Sequence, residues 1–145
     1  MSGILLDSHA LYWLVSGEME LLDPAVDAIR AHQEASTLFV SPITAWEIST
    51  AARKRRLVGQ PYLGDDPPER WFREAVRATS ARIVPIHQRV SLAAASVVTE
   101  TGHKDPGDCF LIASARVRGM PIVTRDQVMQ SLAAERPGYL AVIAC

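Results

Sequence analysis

The chain is poor in the features that mark specialised environments. It has only two cysteines, Cys109 and Cys145, and they form neither a CxxC pair nor a zinc-like spacing. A reduced, cytoplasmic protein is therefore the expectation, without a disulfide framework. Charge of one sign is missing too: fifteen basic residues face sixteen acidic ones, for a formal net charge of -1. No global field attracts a polyanion, and a nucleic-acid partner would have to be met by a local basic patch. No apolar run approaches the roughly 18 residues of a membrane span. The first residues lack a basic segment, and their apolar run is too short for a signal peptide. There is no internal repeat and no low-complexity segment. What remains is 145 residues with 48% hydrophobic and 21% charged side chains, the balance of an ordinary globular protein. A single domain over 1–145 is expected, long enough to bury roughly 68–70% of the surface of its unfolded form.

Ile4-Leu5-Leu6 runs straight into Asp7. A short continuous apolar run suits a strand covered on both faces of a parallel sheet. Asp7 then stands at the strand's carboxyl end, and Ser8 is placed to cap the following helix. In open parallel α/β sheets ligands bind just beyond such strand ends, near the switch in strand order. The same reading predicts further strands at 37–40, 82–86, 121–124 and 139–143. It predicts helices over 8–15, 24–34, 41–56, 65–79, 90–99, 106–118 and 127–133. Asp23-Pro24, Ser41-Pro42 and Asp105-Pro106 are cap-plus-proline helix starts, and Gly17, Gly102 and Gly119 are helix stops. Strands alternating with helices argue for an α/β fold with a mostly parallel central sheet of about five strands and helices on both faces.

Four acids then fall at chemically suggestive places. Asp7 follows the first strand. Asp126 follows the fourth, whose Ile122-Val123 is equally apolar; if the two strands are neighbours, both carboxylates enter one crevice. Glu47 shares a helix face with Ile43 and Ala51, where an acid is costly unless paired or bound to a cation. Asp108 lies in the first turn of a helix whose Phe110, Leu111, Ile112 and Ala115 would pack on the sheet. Plainer readings stand beside these. Asp105 before Pro106 is an excellent N-cap, Asp108 complements a helix N-terminus, Asp126 fits a turn, and Glu47 could pair with an arginine. Yet only Arg125 and Lys104 stand beside the acids as cations, and four unneutralised carboxylates would repel strongly. A divalent cation resolves that repulsion. Oxygen ligands without a His/Cys cluster point to Mg²⁺ or Mn²⁺ rather than zinc, a choice suited to phosphodiester hydrolysis.

Four stretches in order carry a resemblance: Leu5-Leu6-Asp7-Ser8-His9-Ala10-Leu11-Tyr12-Trp13, Ser41-Pro42-Ile43-Thr44-Ala45-Trp46-Glu47-Ile48, His103-Lys104-Asp105-Pro106-Gly107-Asp108 with Leu111-Ile112-Ala113, and Ile122-Val123-Thr124-Arg125-Asp126. Together they resemble the PIN-domain ribonucleases, specifically the VapC-like toxins of bacterial type II toxin–antitoxin pairs, over essentially the whole chain. The resemblance implies a three-layer α/β/α sandwich and a Mg²⁺- or Mn²⁺-dependent endoribonuclease that leaves a 3′-hydroxyl and a 5′-phosphate. It also implies inhibition by a cognate antitoxin and a homodimer. By position, the family's acidic quartet falls on Asp7, Glu47, Asp108 and Asp126, expected as the catalytic and metal-binding acids, Asp7 and Asp108 holding the ion and Glu47 and Asp126 completing the charge and orienting the attacking water, with Asp105 as an additional acid and Ser8 and Thr124 as hydroxyls near the site. The chain departs from the family where members commonly read Asp-Pro-Phe-Asp-Arg. Gly107 stands for the aromatic residue and Cys109 for the arginine, and Ser8 replaces the commoner threonine.

Other residues divide between two readings. The basic run Arg53-Lys54-Arg55-Arg56 is either a solvated helix end matched to the helix dipole or a contact to phosphates of the RNA substrate. Arg125 is expected in support around the acids. His9 and His103 are expected to hydrogen-bond rather than to ligate metal. Trp13 and Trp46 are expected in the core or an interface, and the alanine-rich 92–98 in helix packing, with a dimer contact as the second reading. A haloacid-dehalogenase-like phosphatase would need an acid where His9 stands. A phospho-receiver domain would need a second acid near Asp7 and a lysine where Arg125 stands. The reading left in competition is a catalytically inactive PIN fold that binds RNA or protein.

Overall fold

Strand β1 (Ile4–Leu6) sits at the centre of the molecule. Leu5 and Leu6 are fully buried and Ile4 nearly so, as a strand covered on both faces requires; each of the leucines contributes about 2 kcal/mol by leaving water. The computed structural model describes residues 2–53 and 61–145. Among these, the chain continues through α1 (Ser8–Ser16), α2 (Asp23–Glu34), β2 (Leu38–Val40), α3 (Pro42–Arg53) and α4 (Pro68–Ala78). It then forms β3 (Arg82–Ile83), α5 (Gln88–Thr101), α6 (Pro106–Arg118), β4 (Ile122–Thr124), α7 (Gln127–Glu135) and β5 (Val142–Ala144).

The strands form one sheet in the order β3-β2-β1-β4-β5, and every pairing is parallel. The chain builds outward from β1 to β2 and β3, then returns to lay β4 on the other side of β1. The switch in strand order therefore falls between β1 and β4, which pair Leu5 with Ile122 and Leu6 with Val123. Alternate side chains split the core in two. Ile4, Leu6, Leu38, Val40 and Val123 face one layer with Leu11, Ile29 and Trp71. Leu5, Phe39 and Ile122 face the other with Val97, Leu111, Ile112 and Met129. This is the expected α/β/α sandwich.

Several boundaries differ from the sequence reading, for local reasons. The strand expected over 82–86 pairs only at Arg82–Ile83, since Pro85 has no N–H to extend a ladder. The strand expected at 139–143 begins at Val142; the Tyr139 and Leu140 amides instead close a turn onto the Arg136 carbonyl. Helix α2 begins at Asp23 itself, with Leu22 as its N-cap and no side-chain cap bond, and α4 starts at Pro68 behind Pro67. Asp23 thus sits in a first turn, where its charge complements the helix dipole. Gly17, Gly102 and Gly119 do end α1, α5 and α6 in left-handed backbone. Of the basic run, Arg53 ends α3 and is exposed; Lys54, Arg55 and Arg56 lie outside the described residues.

Candidate active site

The carboxyl ends of β1 and β4 open into a cleft of about 390 Å³ lined by Asp7, Glu47, Asp105, Asp108 and Asp126, together with Ser8, His9, Trp13, Leu111 and Arg125. Asp7 leaves β1 directly into α1 and is that helix's N-cap. The Ala10 N–H donates to its Oδ1 at 2.7 Å, and the Thr124 hydroxyl donates to its Oδ2 at 2.5 Å. The side chain is 6% exposed. Burial pushes its pKa above the usual carboxylate value; the two hydrogen bonds pull against that, and the nearby Asp126 charge adds to it. Thr124 also accepts the Asp126 N–H at 3.0 Å, so one buried hydroxyl ties together the acids that follow the two neighbouring strands. Asp126 caps α7 by accepting the Met129 N–H at 2.9 Å.

The remaining acids arrive on helices. Glu47 projects from the middle of α3, half-buried. The Ser8 hydroxyl donates to its Oε1 at 2.8 Å and lies 3.2 Å from the Thr44 hydroxyl. Burial raises the Glu47 carboxyl to about 7; Ser8 works against the rise, and Asp108, Asp105 and Asp7 add to it. Asp105 caps α6 by accepting the Asp108 N–H at 3.0 Å. Asp108, one turn in, has its Oδ2 2.9 Å from His103 Nε2. Burial again dominates and lifts Asp108 to about 6, with Asp105 and Asp126 contributing and the His103 hydrogen bond opposing.

The structure thus gathers the whole predicted quartet, and Asp105, at one cleft. Asp105 does both things the sequence allowed. It caps α6, and among the described residues Glu47, Asp105 and Asp108 are the group that each offer an oxygen within 4.8 Å of the others. Ser8 does not cap α1, contrary to expectation: Asp7, one residue earlier, takes that place, which frees the serine hydroxyl for Glu47. Neither Arg125 nor Lys104 pairs with an acid among the described residues; His103 does. Arg125 donates instead to the main-chain oxygens of Glu20 and Cys145 and lies over the Trp13 ring, 4.6 Å from its centroid. His9 stacks beside the same ring at 5.3 Å. Trp46 is not in the core; it is 56% exposed. The 92–98 stretch packs Ala94 and Val97 inward against the α6 layer while Leu92 and Val98 stay exposed.

The donor set suits a hard divalent cation. Three carboxylates each offer an oxygen within 4.8 Å of the others, two of them with raised pKa values, and the His103 imidazole is committed to Asp108. All-oxygen sets of this kind favour Mg²⁺ or Mn²⁺. A cation among these oxygens would offset both their burial and their mutual repulsion.

An all-parallel α/β sandwich with clustered acids at its switch point narrows the family, and comparison resolves it. The PIN domain model matches residues 4–135, and the chain belongs to the PIN domain family. It is 31% identical over 138 residues to Ribonuclease VapC22 of Mycobacterium tuberculosis, spanning 94% of this chain and 97% of that relative, which places it with the VapC-like ribonucleases. Among solved structures it resembles DNA-bound VapBC from Salmonella typhimurium, with a TM-score of 0.63 and 16% identity over 99% of this chain and 98% of that one. It also resembles VapBC2 from Rickettsia felis bound to a promoter DNA fragment, with a TM-score of 0.68 and 12% identity over 98% of both chains. At such identities the structural likeness speaks for the fold.

Proposed function

We propose that this protein is a Mg²⁺- or Mn²⁺-dependent endoribonuclease, the toxin of a type II toxin–antitoxin pair, restrained by a cognate antitoxin and working in the cytoplasm as a homodimer. The observation that carries the catalytic part is the convergence of Asp7, Glu47, Asp105, Asp108 and Asp126 on one cleft in a chain akin to a ribonuclease. The antitoxin rests on the VapBC complexes among its structural neighbours. No helix among the described residues is long and apolar enough to cross a membrane.

Glu47, Asp105 and Asp108 would hold the cation, with Asp7 and Asp126 completing the acidic wall across the cleft. When bound, the ion supplies positive charge for the scissile phosphate and lowers the pKa of a water. The protein's own groups do the positioning. Thr124 and the Ala10 amide fix the Asp7 carboxylate, Ser8 fixes Glu47, and His103 fixes Asp108. Asp126, anchored through one oxygen to α7, keeps the other available to orient the attacking water. Arg53, Lys54, Arg55 and Arg56 would meet phosphates along the RNA.

Purified protein incubated with RNA is expected to cleave it in Mg²⁺ or Mn²⁺ and to stop on chelation. Asp7→Asn is expected to abolish cleavage with a circular dichroism spectrum like that of the wild type. Undiminished cleavage by a folded Asp7→Asn variant refutes the assignment. Chelator-resistant RNA binding with no cleavage by the wild type would instead favour a catalytically inactive binding module.

A further inference from the structure

Gly107 has no conformational reason to be glycine. It is the second residue of α6, it is not among the glycines with positive φ, and glycine is the poorest helix former after proline. The reason is space. A Cβ built on Gly107 would lie 2.6 Å from Glu47 Cδ, 2.6 Å from Oε2 and 2.9 Å from Oε1, closer than carbon side-chain contacts permit. On its other side the same carboxylate is held by the Ser8 hydroxyl at 2.8 Å. Glu47 is therefore clamped between a hydroxyl on α1 and a bare Cα on α6. That clamp brings it within 4.8 Å of Asp105 and Asp108, which flank Gly107 in sequence.

We propose that Gly107 is a positioning residue for the cation site, its missing side chain being what lets the Glu47 carboxylate from α3 reach the two acids of α6. The proposal rests on the metal-dependent reading above. Any Cβ here meets the flexible end of Glu47 rather than backbone, so a substitution moves the carboxylate and leaves the fold standing.

The test is a double-mutant cycle read by calorimetric titration of Mn²⁺ into metal-free protein, in wild type, Gly107→Ala, Glu47→Asp and the double variant. Gly107→Ala is expected to melt at the same or a higher temperature, alanine being the better helix former, while its Mn²⁺ affinity falls about 10-fold or more, as when a ligand loses its orientation. In the Glu47→Asp background, where the carboxylate is withdrawn by one methylene, the added alanine is expected to cost nothing further. Equal affinity of Gly107→Ala and wild type overturns the inference, and so does an equal loss in both backgrounds. No Mn²⁺ binding by wild type overturns the cation reading and this inference with it.

Discussion

Replacing Glu47 by glutamine should stabilise the metal-free protein at alkaline pH and disable it as a cation binder. The Glu47 carboxyl rises from 4.5 to about 7 on folding, chiefly through burial. A carboxyl with a higher pKa in the fold holds its proton better there than in the unfolded chain. The fold is therefore favoured at low pH and loses stability as pH rises from about 4.5 towards 7. The full shift corresponds to about 3 kcal/mol. The side chain keeps some contact with solvent, so screening reduces this to about 1–2 kcal/mol. Glutamine preserves the shape and the acceptor for the Ser8 hydroxyl, and its amide replaces a charge that faces Asp105 and Asp108.

Urea unfolding with chelator present is the assay, at pH 8 and again at pH 5. At pH 8 Glu47→Gln should be more stable by about 1–2 kcal/mol, a gain of roughly 2–8 °C in Tm for a domain of this size. At pH 5, where Glu47 is protonated in the fold, the advantage should nearly vanish. Saturating Mn²⁺ should then reverse the order at pH 8 by stabilising the wild type far more than the variant. An equal gain at both pH values would refute the reasoning, because it would owe nothing to ionisation. No gain at pH 8 would refute it more simply.

Thr124→Val keeps the shape of a fully buried residue but removes the donor to Asp7 and the acceptor of the Asp126 amide. It should cost about 1–3 kcal/mol in chemical denaturation, the penalty of buried groups left without partners, and an unchanged midpoint would mean that the Thr124 bridge contributes nothing. Replacing Arg53, Lys54 and Arg55 by glutamine should flatten the salt dependence of RNA binding by about 0.7 in log–log slope for each phosphate that is no longer neutralised. An unchanged slope would assign these charges to a solvated helix end.

The central strands were legible because their signal is local. Ile4-Leu5-Leu6 and Ile122-Val123 are uninterrupted apolar runs that each lead to an acid, and burial on both faces of a parallel sheet demands that composition. The edges of the sheet were less so. At β3 both residues are exposed, and at β5 the apolar Tyr139 and Leu140 are drawn into a turn by Arg136, so an apolar run did not coincide with a ladder. Periodicity placed Glu47 on the inward side of its helix, but it carries no information about the distance across to α6. The fit of Glu47 against Gly107 was therefore invisible, and Gly107 registered only as an unusual residue. Adjacent polar residues compete for a cap, and the sequence does not rank Asp7 against Ser8. The backbone does, by placing Asp7 at the last extended position. Trp46 shows the opposite limit: an aromatic residue on a half-apolar helix carries no mark of whether its own face is covered.

Five acids share the cleft because the helices deliver most of them at low cost. Asp7, Asp105 and Asp126 are the N-caps of α1, α6 and α7, each accepting a main-chain N–H through Oδ1. Each would be selected for helix formation alone. Three helix N-termini therefore point at the same space, and each carries the equivalent of about half a positive charge. That total, near one and a half charges, falls well short of five carboxylates. Burial, with repulsion between the acids adding to it, raises Asp7 despite its cap and pushes the two acids that are not caps, Glu47 and Asp108, to about 7 and about 6. Between about pH 6 and 7 the metal-free cleft thus holds part of a proton load on Glu47 and less on Asp108, which a divalent cation would displace. Capping alone accounts for Asp7, Asp105 and Asp126, but it leaves Glu47 and Asp108 unexplained, and it is their position beside Asp105 that makes the cleft a cation site rather than a meeting of helix ends.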